Sequence, residues 1–305
     1  MMEKKKGKAG YYVLSAVPLV ATLFIQAFSG FVWSIIGVVI YSAKLTMNGE
    51  TEILNDPMAL QTQATDYIMQ YILYAVIAAQ IITLIGGAIW YGILIRKKNE
   101  NRPVRECVNG RTVLMCVLAG IGLQLVIGFF LQVAGMIFPD AMGAYSELIE
   151  TVGIGETTWF SFLATVILAP ISEEILFRGL TLRFLKHAGV RFAIANVIQA
   201  LFFGILHMNL VQGIYAFVIG LVLGYVAGKL RTIFLPVLLH LTFNLMGTLL
   251  GEIPLDYSSW LVWGLLLIVG FLLLTGAFLL IQKEIKKLGN DSVQVEATAD
   301  SVSGN

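Results

Sequence analysis

Six side chains able to do chemistry fall within residues 173–244, a stretch that is otherwise strongly apolar: Glu173, Glu174, Arg178, His207, His240 and Asn244. Two of the chain's three histidines are among them. Glu174 and Arg178 are four residues apart, which places them on one face of a helix as an internal ion pair. A plain structural role in helix packing accounts for that pair. It leaves Glu173, rotated about 100° around the helix, without a partner, and an unmatched carboxylate in a low-dielectric setting is a candidate general base or acid. His240 and Asn244 repeat the four-residue spacing. Taken singly, either histidine is explained as well by an interhelical hydrogen bond. Together the residues suit amide hydrolysis. Glu and His can activate a water, and a second His with an Asn amide can donate to a developing oxyanion, worth roughly 3–4 kcal/mol per donor. Glu173, His207 and His240 could alternatively hold Zn²⁺ as a His₂Glu set with one open position. No HExxH motif occurs and no Ser-His-Asp arrangement is forced.

The elements that must position these groups are membrane-spanning. The chain is 58% hydrophobic and 13% charged, against about 25% charged in soluble domains, with mean hydropathy +0.83. Charges inside a bilayer cost roughly 2.5–3.5 kcal/mol each on insertion scales, so the cluster is expected inside a bundle, facing away from lipid. Eight stretches are apolar enough to span, at residues 11–42, 66–95, 112–138, 157–186, 192–209, 211–228, 232–250 and 258–282. The fifth and sixth are short, and Pro18 and Pro170 mark possible kinks in the first and fourth. The polar residues lie on the fourth, fifth and seventh. At 1.5 Å rise per residue, Glu173 sits about 21 Å from the basic end, His207 about 24 Å, His240 about 12 Å and Asn244 about 18 Å. These depths permit one common site.

Nearly all of the 20 lysines and arginines flank alternate ends of the spans: Lys4, Lys5, Lys6 and Lys8 before the first, Arg96 to Arg111 after the second, Arg183, Lys186 and Arg191 after the fourth, Lys229 and Arg231 after the sixth, and Lys283, Lys286 and Lys287 after the eighth. The opposite loops carry Lys44 and a series of acids, Glu156, Glu252 and Asp256 among them. The positive-inside rule then places both termini in the cytoplasm. The expected fold is all-α, a multi-pass plasma-membrane protein of about eight transmembrane helices. Residues 1–10 form a basic cytoplasmic start, 11–287 the membrane domain, and 288–305 a small, polar, disordered cytoplasmic tail. No cleavable signal peptide is evident. Cys107 and Cys116 suggest neither a disulfide nor a metal cluster, and the dispersed basic flanks give no support to nucleic-acid binding. Gly220, Gly224 and Gly228 form a small-residue ridge for helix packing. Tyr11, Tyr12, Trp90, Tyr91, Trp159 and Trp260 read as interfacial anchors, and His187 as a solvated helix-end residue.

Three ordered motifs carry a resemblance: Glu173-Glu174-Ile-Leu-Phe-Arg178, Phe203-Gly-Ile-Leu-His207 and His240-Leu-Thr-Phe-Asn244. The set resembles the CAAX-protease and bacteriocin-processing family of intramembrane endopeptidases, to which the type II CAAX prenyl proteases belong, over residues of about 115–250. The resemblance implies that Glu173 and His207 polarise the attacking water, that His240 and Asn244 line an oxyanion hole, that Glu174 and Arg178 hold the site's shape, and that Phe203 packs beside it. It implies no cofactor, zinc being the alternative. The partners implied are membrane lipids and a peptide or membrane-protein substrate, prenylated or leader-bearing, in a bacterial setting. A bacteriocin-immunity or regulatory protein on the same scaffold, and an ion-coupled transporter using the same groups as relays, are the competing readings. The basic loops suggest that the site opens toward the cytoplasm.

Overall fold

The computed structural model describes residues 2–98, 101–153, 158–253 and 259–303, with side chains over 8–94, 101–153, 158–253 and 259–288. Each apolar stretch is helical, as backbone groups in hydrocarbon must be satisfied within their own segment. The long helices are α1 (Met2–Asn48), α2 (Ile72–Lys98), α3 (Gly110–Ile137), α4 (Trp159–His187), α5 (Phe192–Leu206), α6 (Leu210–Leu230), α7 (Phe234–Glu252) and α8 (Trp260–Ser303). Among the described residues there is no strand. The expected all-α, multi-pass architecture is therefore present. Among the described residues, seven helices are long and apolar enough to cross a bilayer. The eighth, α5, has 15 residues and reaches only about 22 Å, short of a hydrocarbon core of about 30 Å. α8 continues to Ser303, through the tail expected to be disordered. Glu156 and Asp256 lie outside the described residues, as do the side chains of Lys4, Lys5, Lys6, Arg96, Lys97 and Lys98.

The outer helices are apolar all round. α1 exposes Phe24, Phe28, Phe31 and Val39, and α8 exposes Leu261, Leu265, Ile268 and Leu272. Such a surface has no place in water, where contiguous apolar patches rarely exceed a few hundred Å²; in a bilayer it is the lipid face. Inside, one core joins Met115, Leu123, Ile219, Leu223, Leu239 and Phe243 of α3, α6 and α7. A second joins Tyr91, Phe177, Leu180, Phe184 and Phe203 of α2, α4 and α5.

The basic segments meet at one end of the bundle. Arg111 pairs with Glu284 at 3.9 Å, Arg102 N–H donates to the Arg231 carbonyl, and Asn101 bonds both Tyr91 and Arg183. Tyr91 is buried in this polar knot rather than serving as an interfacial anchor, whereas Trp159 and Trp260 are exposed as expected. His187 is half-buried against the Tyr11 ring at 5.2 Å, not freely solvated.

α5 and α6 form a tight hairpin. Met208, with φ 51°, takes the left-handed conformation that stops α5, and the Asn209 side chain then accepts from Gln212 N–H to start α6. The glycine ridge of α6 faces α5. A Cβ on Gly220 would meet Ala200 at 3.0 Å and Phe203 at 3.2 Å; one on Gly224 or Gly228 would fall on Asn196 and Gln199, or on the Phe192 ring. The ridge thus lets two backbones approach closely, and Gln199 reaches the Gly220 carbonyl at 2.9 Å.

Candidate active site

α4 is not a uniform α-helix. Leu163–Leu168 and Ile175–Thr181 are π-helical, flanking the α-helical turn Ala169–Glu174. Pro170 explains the first segment. Ala169 N–H donates to the Ala164 carbonyl, the wider π spacing. The next donor along would be residue 170, which has no N–H, so the Thr165 carbonyl is left without a helical partner. Asn244 Nδ2 of α7 supplies it, at 2.7 Å. A carbonyl can only accept, so this contact also settles which way the amide points, and it leaves the second amide hydrogen of Asn244 unused.

One turn further on stands the buried charge network. Arg178 Nη1 donates to Glu174 Oε1 at 2.8 Å, and both side chains are fully buried. Arg178 Nη2 donates to the Gly220 carbonyl at 3.2 Å. The same Glu174 oxygen lies 2.9 Å from His240 Nδ1. An ionised carboxylate has no proton to give, so His240 Nδ1–H is the donor and Nε2 is the nitrogen left over. That nitrogen lies 3.8 Å from Glu173 Oε2. Arg178, Glu174 and His240 therefore form one hydrogen-bonded chain that ends beside Glu173. Glu173 has no partner on its own helix, as expected; α7 brings His240 Nε2 within 3.8 Å of it, an ion pair only when that imidazole carries a second proton. Glu173 retains 16% side-chain exposure while Glu174 has none, so the two neighbours divide into one accessible and one enclosed carboxylate.

Phe203 sits at the centre of the polar groups. The Arg178 guanidinium lies 4.6 Å over its ring, and His207 and His240 meet it edge-on at 5.1 and 5.7 Å. His207 closes α5, with Nδ1 against the Phe203 carbonyl at 2.9 Å. Its Nε2 is thereby the free nitrogen. Among the described residues no hydrogen bond or ion pair joins His207 directly to Glu173, so any shared action on a substrate would run through a water. No group of three His, Cys, Asp or Glu side chains lies close enough to hold a metal ion among the described residues. The zinc alternative would require His207 to draw nearer to Glu173 and His240.

A polar cavity of about 400 Å³ runs beside Asn244, lined also by Thr165, Ser161, Gln212, Tyr215 and Glu252. Tyr215 meets Tyr145 of the helix Pro139–Thr151, oxygen to oxygen, at 2.9 Å across its wall. Apart from Glu252, read as a loop acid, these lining residues were not singled out from the sequence; Gln212 and Tyr215 near the start of the apolar run of α6 were the available signal. Glu252 and Ser161 belong to the acidic-loop ends of α7 and α4. The cavity thus opens at the acidic end of the bundle, whereas the basic loops suggested an opening at the other end; of the expected site residues Asn244 lines it, and Glu173, His207 and His240 do not.

Residues 155–246 match the family model described as Rce1-like, type II CAAX prenyl endopeptidase Rce1-like. The match spans less than half of the 305-residue chain. It is the resemblance that the three motifs carried, and all three lie within it. The matched segment covers α4 to most of α7, the same helices that supply every member of the charge network, and leaves α1–α3 and α8 outside. Neither a curated protein nor a solved structure matches the chain. The description of the matched family is of a CAAX prenyl endopeptidase.

Proposed function

We propose that the chain is an intramembrane glutamic endopeptidase that uses no metal, with Glu173 as general base. Water held between Glu173 and His207 Nε2 attacks the scissile carbonyl as Glu173 takes its proton. The second amide hydrogen of Asn244 and the Nε2–H of His240, in its doubly protonated form, stabilise the oxyanion. Collapse breaks the carbon–nitrogen bond, and the proton passes from Glu173 to the leaving amine. His240, 3.8 Å from Glu173, lies between the base and the oxyanion and couples the two. Glu174 and Arg178 fix its orientation from behind, and Phe203 fixes the ring planes. The observation that carries the reading is the chain Arg178–Glu174–His240, ending beside the one accessible carboxylate.

The substrate class follows from the setting: a peptide tethered to or lying in the membrane, prenylated or leader-bearing, with its scissile bond at the depth of Asn244. Quantitative proteomics of membrane peptides, in cells carrying wild-type protein or Glu173→Gln, tests this. Specific peptides should lose their cleaved forms in the variant by at least about two orders of magnitude, with the protein still folded. Unchanged cleavage in a folded Glu173→Gln protein refutes the assignment. Metal-free action is tested separately: chelation should leave turnover intact, and restoration of a chelated, inactive protein by one equivalent of zinc would overturn it.

A further inference from the structure

A second cavity lies at the opposite, basic end of the bundle, and its chemistry differs from that of the first. It measures about 310 Å³ and is lined by Arg178, Arg183, Lys186, Lys229 and Arg231. Every ionisable side chain on its described lining is a cation. None of Glu173, His207, His240 and Asn244 borders it. The cations are graded in depth. Lys186, Lys229 and Arg231 are exposed at the mouth, Arg183 is half-buried, and Arg178 is buried at the floor. Arg178 adds an independent observation: its Nε is a buried donor without a hydrogen-bond partner, although its other two nitrogens are used. The N-terminus of α5 also borders the cavity, through Phe192 and Ala195. Its N-cap, Arg191, makes no side-chain capping bond, so the first N–H groups of that helix present their positive dipole end without a capping side chain.

The remaining wall is apolar: Leu182, Val190 and Phe192. Phe192 is 36% exposed on the lipid-facing flank, and Lys229 lies over its ring at 5.4 Å. A site with cations above and an exposed apolar slope beside them suits an amphiphile better than a free ion. The geometry points to this cavity as a binding site for an anionic phospholipid, the headgroup phosphate lying among Lys186, Lys229, Arg231 and the α5 N-terminus, and the glycerol and upper acyl carbons against Phe192 and Val190. The site is independent of the proteolytic reading. It shares with the charge network only Arg178, so an occupied cavity and the Glu174–His240 contact are held by the same guanidinium.

Protein in neutral detergent is titrated with phosphatidylglycerol, with phosphatidylcholine, and with inorganic phosphate, following thermal unfolding and lipid adducts in native mass spectrometry. Phosphatidylglycerol should raise the midpoint and remain bound through gentle activation, and phosphatidylcholine should do neither. In Lys186→Gln/Lys229→Gln the apparent affinity should fall about tenfold or more, as each basic residue near an anionic headgroup contributes on the order of 1 kcal/mol. Lys283→Gln/Lys286→Gln removes the same charge at the same end, away from the cavity, and should keep the response. Arg231→Gln is the second probe should the double variant not fold, and should weaken binding in the same sense. Equal responses in the two double variants, or equal stabilisation by phosphatidylcholine, overturn the site. Full stabilisation by inorganic phosphate alone overturns the lipid assignment.

Discussion

Replacing Arg178 by Met removes a charge from a place with no water to replace it. Glu174 then keeps one donor, His240 Nδ1, on an oxygen that had two, and its other oxygen is buried with no hydrogen-bond partner. Breaking a buried pair from one side costs roughly 3–5 kcal/mol, so Arg178→Met should lose about that much. Glu174→Gln should lose a similar amount, since the buried Arg178 charge would then face only neutral acceptors, the new amide oxygen and the Gly220 carbonyl. The double variant, Glu174→Gln with Arg178→Met, is different. The amide oxygen introduced by Glu174→Gln can still accept from His240, so the losses are two hydrogen bonds, to residue 174 and to the Gly220 carbonyl, about 1 kcal/mol each, and the contact of the guanidinium with the Phe203 ring, up to about 2 kcal/mol when desolvated. Two single losses sum to at least about 6 kcal/mol, against about 4 for the double, which gives a coupling near 2 kcal/mol. Reversible unfolding in mixed micelles across a denaturing-detergent titration measures all four corners of the cycle. Coupling below about 0.5 kcal/mol, the range of independent sites, would refute the network as described.

Asn244→Ala should cost about 1–3 kcal/mol by leaving the Thr165 carbonyl unpaired, and adding Pro170→Ala, which restores an N–H at the π position, should return part of that stability in the same unfolding assay; an additive or greater loss would count against the carbonyl account. Met208→Gly removes a left-handed non-glycine residue whose side chain is 83% exposed, so thermal stability should rise by up to about 1 kcal/mol, and a clear loss would show that the side chain matters more than the backbone. A single cysteine at Thr248, with Cys107 and Cys116 replaced, should react with impermeant thiol reagent from the acidic-loop side, the extracytoplasmic face under the positive-inside orientation; labelling from the cytoplasmic side only would restore the opening first inferred from the loops.

The local part of this arrangement was legible and the long-range part was not. Glu174 and Arg178 announce their pairing because helical spacing alone brings them together. The partner of Glu173 comes from α7, far along the chain, and nothing in the spacing of either segment aligns their rotations. Pro170 reads as a kink, yet its effect is subtler: a missing donor that widens one turn and recruits Asn244, a side chain also suited to an oxyanion role. Depth counting put the groups in one band, while the basic loops pointed to an opening at their own end; the cavity beside Asn244 instead reaches the acidic end, through residues of α4 and α7 that carry no charge signal apart from Glu252. Tyr145 and Tyr215 stay hidden until α6 and the helix Pro139–Thr151 are seen to meet.

The brevity of α5 has a consequence for the membrane itself. α5 is about 8 Å shorter than a hydrocarbon core, while its hairpin partner α6, with 21 residues, is long enough to cross one, so lipid tails beside α5 meet a polar helix end unless the bilayer bends. Thinning of that kind carries an elastic energy of a fraction of a kcal/mol per Å of mismatch, which grows with acyl-chain length. Lipid beside α5 in such a bilayer is held in compression. Membrane thickness thus bears on the fold: in short-chain bilayers the dimple is nearly free, and in thick, ordered ones the same fold works against the stiffness of its own solvent.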